Sequence, residues 1–245
     1  MRKYDDLDMI KEVARAFLYM DIEETQYSPV VILHPVFESA FYSIPEDGQY
    51  KIHNILEDES ALQKALSVAR GLIDNAKSVV AVYRIIRKSY RLTFIKHTKK
   101  YMCIKTFSEL LEDAWVSSEN PNQDSNVPVP MLISWFREAD KKCLMVAEDY
   151  EIFSRLPETI TVYRGIMPGH NPDGLSWTEN LSTANWFASR FNTDIDKGYI
   201  QKAVIDKSRA LAYFNTRGED ELVVDTTGLQ YEILNIDSVS EEEQL

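Results

Sequence analysis

The 245-residue sequence has few of the residues that build metal centres and disulfide frameworks, with two cysteines and four histidines. Cys103 and Cys143 lie far apart in the chain and match no metal-ligand spacing, so we expect reduced thiols in an intracellular protein. The histidines are scattered through the chain, which argues against a histidine-based metal centre. The sequence therefore predicts no metal site.

Several common motifs are missing as well. The sequence contains no GxGxxG, Walker A, GxSxG, CxxC or HExxH pattern, so the usual signatures of dinucleotide-binding folds, phosphate-binding loops, hydrolases and zinc proteases are absent. No apolar run approaches the length that spans a membrane, and the first residues lack the apolar core of a signal peptide. We expect a cytoplasmic protein with no membrane partner.

The charge is strongly negative but unevenly distributed. A formal net charge of −12 argues against general affinity for nucleic acids or anionic membranes. Between Arg84 and Lys105, however, the chain carries eight Lys or Arg residues and no Asp or Glu. Two interpretations remain open. The favoured one is a solvated helical surface paired with acidic neighbours, and the other is a docking surface for an acidic partner or a nucleic acid.

Helical patterns dominate the first part of the chain, and strand-like runs dominate the part after Leu156-Pro157. This order indicates an α+β fold rather than an alternating α/β fold. In the helical part, Thr106 is the predicted start of a capping box, and Val79–Ile86 fits a strand or a buried helix equally well. One helix, predicted from Ser182 to Phe191, interrupts the strands, with Ser182 or Thr183 as its cap.

Three short strand-like pieces between Thr161 and Asp225 carry polar groups that a buried strand normally avoids. Side chains two apart on a strand share a face, which places Ser176 with Thr178. The same alternation predicts that Glu219 shares a face with Glu221. An arginine, two hydroxyls and two carboxylates in one cleft would hold a phosphorylated ligand and stabilise a cation beside it. The pieces are Val162-Tyr163-Arg164-Gly165, Leu175-Ser176-Trp177-Thr178 and Gly218-Glu219-Asp220-Glu221-Leu222-Val223-Val224.

In order and spacing, these pieces resemble the three signatures of the arginine–serine–glutamate class of mono-ADP-ribosyltransferases, which includes clostridial binary toxins and Rho-modifying exoenzymes. The resemblance implies a core of two packed, mostly antiparallel β-sheets with a helical N-terminal lobe, in a bacterial or bacteriophage setting. It places an ADP-ribosyltransferase-like catalytic domain at 90–245, with a helical lobe at 90–156, a β core at 157–237 and an acidic tail at 238–245. Residues 1–89 would form an accessory α/β region.

The resemblance also implies NAD as a substrate and a role for each motif residue. Glu221 would stabilise the cationic sugar that forms when the nicotinamide–ribose bond breaks, and Ser176 would hold its carboxylate in place. Arg164 would bind phosphate oxygens. Gly165, which lacks a Cβ, would let the nicotinamide amide approach its backbone. Thr178 would support the strand or the ligand from the face it shares with Ser176.

Further residues follow from the same resemblance. Phe187 or Phe191 would cover the nicotinamide ring, although their helical spacing with Trp186 is more typical of core residues. The loop Asn192–Gly198 would lie over the NAD phosphates. Each of these assignments concerns the binding of NAD.

Glu219 is the predicted catalytic residue facing the acceptor, because in this family a glutamate at that position goes with arginine acceptors on proteins. Tyr213, Phe214 and Arg217 fall where the family recognises its acceptor. A nucleic-acid acceptor, an NAD glycohydrolase and a non-catalytic partner-binding protein on the same fold remain open alternatives. An antitoxin-like inhibitor is a further partner consistent with an NAD-consuming protein.

Overall fold

The structure is a computed structural model that describes residues 2–26, 28–118, 126–190, 193, 197–216 and 218–235. The chain forms two compact units, residues 1–127 and 128–245. The sequence predicted a boundary at residues 89 and 90 instead. The difference arises because the helices that follow residue 89 pack against the N-terminal helix and therefore stay with the first unit.

The N-terminal unit combines five helices with two β-hairpins in its described part. The ambiguous segment Val79–Ile86 begins as a helix, whose first turn is capped by the Ser78 hydroxyl accepting from the Ala81 amide. None of the described helices in either unit is long and apolar enough to cross a membrane. The elements are α1 (Leu7–Leu18), β1 (Glu23–Thr25), β2 (Ser28–Leu33), β3 (Phe41–Glu46), β4 (Gln49–Asn54), α2 (Glu59–Asn75), α3 (Val79–Tyr83), α4 (Arg91–Thr98) and α5 (Ile104–Val116).

The start of α5 differs from the predicted capping box at Thr106. The helix begins at Ile104, two residues earlier, and Asp5 supplies the capping carboxylate. Its Oδ1 accepts from the Cys103 amide at 2.7 Å, and its Oδ2 accepts from the Thr106 hydroxyl at 2.7 Å. The prediction was wrong because the cap comes from a residue about one hundred positions away, which a local pattern cannot reveal.

The C-terminal unit is helical first and then consists mostly of strands, as expected for an α+β fold. Its last helix begins at Leu181, and its cap is Asn180 rather than Ser182 or Thr183, because Asn180 Oδ1 accepts from both of their amides. The elements are α6 (Val129–Glu138), α7 (Lys141–Leu144), α8 (Ala147–Arg155), β5 (Thr159–Ile166), β6 (Ser176–Thr178), α9 (Leu181–Ser189), β7 (Tyr199–Asp206), β8 (Ala210–Phe214), β9 (Glu221–Val224) and β10 (Glu232–Asn235).

The strands of this unit form one six-stranded sheet in the order β10-β7-β5-β6-β9-β8, with every neighbouring pair antiparallel. The prediction of two packed sheets is therefore wrong for the described residues. The sheet is nevertheless almost divided in two. β5 pairs with β7 along its whole length, but it pairs with β6 only through Tyr163 and Thr178. The junction of the sheet with the fewest paired residues thus lies between two of the three motif strands.

Helix α9 covers the sheet beside this junction. Ala184 and Ala188 of the helix are fully buried and pack with Ile200 of β7. Tyr163 and Leu234 border the same cluster. Small side chains on the helix allow its backbone to approach the strands closely, so α9 lies directly over the segment of β5 that carries the first motif.

His34 in the N-terminal unit is a buried histidine held as an acceptor. Its side chain is 1% exposed, and its Nδ1 accepts hydrogen bonds from the amides of Val36 at 3.1 Å and Phe37 at 3.0 Å. Burial lowers the pKa of His34 to about 4, and the positive charge of Arg87 acts in the same direction. The neutral imidazole is therefore part of the folded structure.

We expect acid to destabilise the protein through His34. An unfolded histidine binds a proton below about pH 6.5, but the folded one does not until about pH 4, so the free energy of unfolding falls as the pH falls through this window. His34→Asn keeps an acceptor for both amides and does not titrate, so urea unfolding at several pH values should show a smaller decrease. The exposed His170→Asn is the control. An equal pH dependence for His34→Asn and wild type would contradict this assignment.

Candidate functional site

The three motif strands lie side by side in the sheet, in the order β5-β6-β9. This adjacency is not a consequence of chain order, because β7 and β8 come between β6 and β9 in the sequence. β7 instead pairs on the outer side of β5, and β8 pairs on the outer side of β9. Arg164, Ser176 and Glu221 are thus carried on neighbouring strands at the centre of the sheet.

Glu221 and Thr178 lie directly opposite each other in the β6–β9 ladder. Both are buried, with exposed fractions of 8% and 5%. Opposite residues in an antiparallel pair share a face and have Cβ atoms about 5 Å apart, whereas diagonal neighbours are about 7–8 Å apart. Ser176 is paired with Val223 and is therefore only diagonal to Glu221. The register makes Thr178, rather than Ser176, the direct neighbour of the predicted catalytic carboxylate.

The Thr178 hydroxyl has a defined orientation. Its Oγ1 accepts a hydrogen bond from the Asn180 amide at 3.1 Å, in the turn that leads into α9. A hydroxyl that accepts from an N–H group still carries one proton to donate. Thr178 can therefore donate toward the face that it shares with Glu221.

The Arg164 side chain bridges the opening between β5 and β6. Its Nη1 donates to the Ser176 carbonyl oxygen at 2.7 Å, where the backbone ladder between the two strands is missing. The guanidinium packs against Gly174, where a Cβ would lie 2.6 Å from Arg164 Cζ. Burial lowers the pKa of Arg164, and the negative charge of Glu221 opposes that shift. The predicted phosphate-binding cation and the predicted catalytic carboxylate are thus within electrostatic reach of each other.

The side chains of Arg164 and Glu221 leave opposite faces of the sheet. Tyr163 is paired with Thr178, which is paired with Glu221, so these three side chains share one face. Arg164 follows Tyr163, and its Cα–Cβ bond therefore leaves β5 on the other face. Its long side chain reaches the Ser176 carbonyl through the opening. The single cleft expected from the sequence is therefore replaced by two polar surfaces connected by one guanidinium.

Glu219 does not belong to the strand that carries Glu221. β9 begins at Glu221, and Asp220 has a φ of +48°, which ends the extended geometry. The preceding turn is held by Asn215, whose carbonyl oxygen accepts from the Gly218 amide at 2.9 Å and whose Oδ1 accepts from the Asp220 amide at 3.2 Å. The alternation that predicted a shared face for Glu219 and Glu221 therefore does not apply, and Glu219 is half-buried in the turn.

The residues predicted to recognise the acceptor are mostly part of the core. Phe214 is 3% exposed and lies 6.5 Å from the Phe136 ring centroid. Tyr213 is 5% exposed, and its hydroxyl donates to Asp220 Oδ1 at 2.7 Å. Burial and this hydrogen bond raise the pKa of Tyr213. Arg217 lies outside the described residues.

Two further carboxylates surround this turn, and neither was predicted. Asp149 of α8 is buried and accepts from the Asn215 amide at 3.1 Å. Burial raises the pKa of Asp149, and burial together with the charge of Asp220 raises the pKa of Glu179. Both carboxylates also act on the Tyr213 hydroxyl. Asp149 lies on a distant helix, so no local pattern connects it with this turn, whereas Glu179 was visible as the residue after Thr178.

Gly165 is needed for helix packing. A Cβ at this position would overlap the Ala184 carbonyl oxygen and lie 2.7 Å from the Ala188 amide nitrogen and 2.9 Å from Phe187 Cβ. The absent side chain thus makes room for α9, which is a different reason from the nicotinamide contact implied by the resemblance. Phe187 is half-buried on α9, and its ring packs at 4.9 Å against the exposed Trp186.

Part of the predicted cofactor surface cannot be placed. Phe191, Asn192 and residues 194–196 of the predicted phosphate loop lie outside the described residues. Gly198, at the end of that loop, is described and lies against the carbonyl oxygens of Ala188 and Ile166. Among the described residues, no group of three or more His, Cys, Asp or Glu side chains is arranged to hold a metal ion.

The basic segment Arg84–Lys105 belongs to the N-terminal unit, and many of its side chains have partners within that unit. Arg87 Nη1, for example, donates to the carbonyl oxygens of Ile32 at 2.7 Å and Phe37 at 3.0 Å. These contacts favour the interpretation of an intramolecularly paired surface, and an acidic partner or nucleic acid at this segment remains a prediction. The paired residues include Arg87, Arg91, Lys96, Lys99, Lys100 and Lys105.

Comparison with known proteins finds no relative of this chain. No family model, no curated protein and no solved structure matches the chain. The resemblance to ADP-ribosyltransferases therefore remains a prediction that rests on the three sequence motifs.

Gly165→Ala should destabilise the C-terminal unit. The added methyl group meets the backbone of α9, which cannot yield as a flexible side chain would, so we expect a loss of about 1–3 kcal/mol in the free energy of unfolding. Gly71→Ala in α2 is the control, because a Cβ there meets nothing within 4 Å and should stabilise its helix by about 0.5–1 kcal/mol. Urea unfolding followed by circular dichroism measures both. Wild-type stability for Gly165→Ala would show that α9 does not pack as described.

Proposed function

We propose that this protein transfers ADP-ribose from NAD to a macromolecular acceptor and releases nicotinamide. The observation that carries the proposal is the adjacency of the three motif strands, which brings Arg164 and the Thr178–Glu221 pair together from distant parts of the sequence. Three motifs that matched by coincidence would have no reason to occupy neighbouring strands. Their placement supports one site, whose two polar surfaces are connected by the Arg164 guanidinium.

The reaction needs a stabilised positive charge at the sugar. The bond between the nicotinamide nitrogen and ribose C1′ breaks, its electron pair leaves with nicotinamide, and C1′ becomes oxocarbenium-like. A nucleophile of the acceptor then forms a bond to C1′ and loses a proton. Glu221 is a buried carboxylate, and a negative charge in a water-poor site stabilises such a cation far more than it would in water. We assign charge stabilisation to Glu221.

Thr178 and Arg164 prepare the site. The Thr178 hydroxyl faces Glu221 across the ladder and positions its carboxylate. The positive charge of Arg164 interacts electrostatically with the Glu221 carboxylate. Its guanidinium fork also matches the geometry of phosphate oxygens in NAD. Ser176 contributes through its backbone, because its carbonyl oxygen holds the Arg164 guanidinium.

The acceptor proposed for this site is a protein arginine. Carboxylates of Asp149, Glu179 and Asp220 act together on the Tyr213 hydroxyl beside the turn that precedes Glu221. Their summed negative potential attracts a guanidinium and repels the phosphates of a nucleic acid. The same turn carries Glu219, to which the family resemblance gives the acceptor-facing role.

Glu221→Gln should abolish most of the transfer. Removing the negative charge but keeping the shape costs about 10²–10³ in rate, by analogy with the loss of a preorganised charge-stabilising group. The measurement is incubation of purified protein with labelled NAD and a bacterial lysate, followed by electrophoresis of labelled products. Glu158→Gln, at an exposed position before β5, is the matched control and should behave as wild type.

Additional arms of this experiment separate the alternatives. Nuclease-sensitive label would identify a nucleic-acid acceptor, and free ADP-ribose without labelled macromolecule would identify a glycohydrolase. Equal labelling by Glu221→Gln and wild type would remove Glu221 from the mechanism. No product of any kind and no thermal shift with NAD would leave a non-catalytic protein on this fold.

Thr178→Val should reduce kcat while leaving the KM for NAD nearly unchanged. Valine fills the same volume but cannot donate to Glu221, and a hydrogen bond to a charged group contributes about 1.5–3 kcal/mol, so we expect a loss of at least tenfold. Thr178→Ser should restore most of the rate. Ser176→Ala should have a smaller effect, because its side chain is only diagonal to Glu221. A larger loss for Ser176→Ala than for Thr178→Val would show that Ser176 positions the carboxylate.

A further inference from the structure

Gln201 of β7 is a buried amide without a hydrogen-bonding partner among the described residues. Its side chain is 1% exposed, and neither Oε1 nor Nε2 has a partner. Gln201 lies directly opposite Arg164 in the β5–β7 ladder, so the two side chains share a face. The Nε of Arg164 is likewise buried and without a partner. Three polar atoms of two adjacent side chains thus lack a hydrogen bond at one place.

Such an arrangement is costly in a folded protein. Each buried polar atom without a partner has lost its hydrogen bonds to water without replacement, and most native structures have only a few of them. Leucine or methionine at position 201 would fit a sheet interior without that cost, since Val162 and Ala203 nearby are also buried. The amide at this position is therefore suited to a further hydrogen-bonding partner, which a ligand can supply.

We propose that Arg164 and Gln201 form a subsite for a planar ligand group that presents a hydrogen-bond donor beside an acceptor. This inference rests on the proposed function, and in NAD two groups have this chemistry: the carboxamide of nicotinamide and the amidine edge of adenine. The ligand acceptor takes hydrogen bonds from Arg164 Nε and Gln201 Nε2, and the ligand N–H donates to Gln201 Oε1. A phosphate does not fit as well, because it would bring an anion against the Oε1 acceptor.

The surroundings of the subsite fit a flat ring. Tyr199 precedes Gln201 by two residues on β7, shares its face and is half-buried. On the other side of β7, Ile233 of β10 is paired with Gln201 and is 60% exposed. Solvent therefore reaches the strand next to Gln201.

This subsite adds to the site that the motifs define. Arg164 and Gln201 leave the sheet on the face opposite to Thr178 and Glu221, as their register positions require. The Arg164 guanidinium, which reaches the Ser176 carbonyl, connects the two surfaces. Gln201 becomes a specificity-determining residue for the part of the dinucleotide that carries the planar amide or amidine group.

The test measures stability and ligand affinity in the same variant. Gln201→Met keeps the length of the side chain and removes both orphan atoms, so the ligand-free protein should melt at the same temperature as wild type or higher. Its affinity for NAD, measured by calorimetry, should fall about tenfold or more. Both measurements are made in the full chain with Glu221→Gln present, so that NAD is not consumed. Gln230→Met, at an exposed position, is the matched control and should retain affinity.

Two fragments identify the recognised group. Nicotinamide and AMP are titrated separately, and the fragment whose affinity falls in Gln201→Met carries the contact. A fall for either fragment supports the subsite. Equal binding of NAD and of both fragments by Gln201→Met and its parent, with a raised melting temperature, would show that an ordered water occupies the position and would overturn the inference.

Failure of the inference can be distinguished from failure of the proposed function. If the parent protein binds NAD and Gln201→Met binds it equally well, the subsite is wrong and the proposed reaction still stands. If the parent protein binds neither NAD nor a fragment, both proposals are wrong. Should Gln201→Met fail to fold, Gln201→Glu keeps the shape and replaces the donor by a carboxylate beside Arg164, and unchanged NAD affinity in that variant would contradict the subsite.

Discussion

The site depends on the way in which β5 is joined to β6. A single backbone pair, Tyr163 with Thr178, connects two halves of the sheet, and beyond it the Arg164 guanidinium donates to the Ser176 carbonyl in place of ladder hydrogen bonds. A side chain therefore completes the sheet where the backbone does not. This is why a half-buried cation lies beside a buried alcohol and a buried carboxylate at the centre of a sheet whose other positions are largely apolar.

Burying these groups works against stability and has to be compensated locally. A buried charge is tolerated when it is hydrogen-bonded and close to an opposite charge. Arg164 meets both conditions, through the Ser176 carbonyl and through the charge of Glu221. The compensation is incomplete at Arg164 Nε and at the Gln201 amide. Sites that bind a ligand commonly keep such costs, because the ligand removes them on binding.

Local patterns were sufficient to predict most elements of the C-terminal unit. The run of helices ends with α8 and strands dominate from β5 onward, as the change of pattern at Leu156-Pro157 predicted, since apolar alternation and helical spacing are read within a few residues. The three motifs also identified three strands that are adjacent in the sheet. The order of those strands was not predictable in the same way, because it is decided by pairing between distant segments.

Most of the errors have one physical cause, which is contact between distant parts of the chain. The cap of α5 comes from Asp5, and the buried carboxylate beside the turn at Asn215–Asp220 comes from Asp149, so both depend on contacts across the chain. The left-handed backbone at Asp220 broke the alternation that had joined Glu219 to Glu221. The β5–β6 register decides which face of the sheet the Arg164 side chain leaves. A motif within a single strand carries no information about this register.

In the proposed reaction the nicotinamide-ribose end of NAD binds beside Glu221. A crystal structure of the Glu221→Gln variant with NAD tests this placement. We expect density for the nicotinamide ribose within hydrogen-bonding distance of residue 221, and a phosphate or the planar amide group in contact with Arg164. Density for NAD elsewhere on the protein, or an unliganded site in crystals grown at saturating NAD, would contradict it.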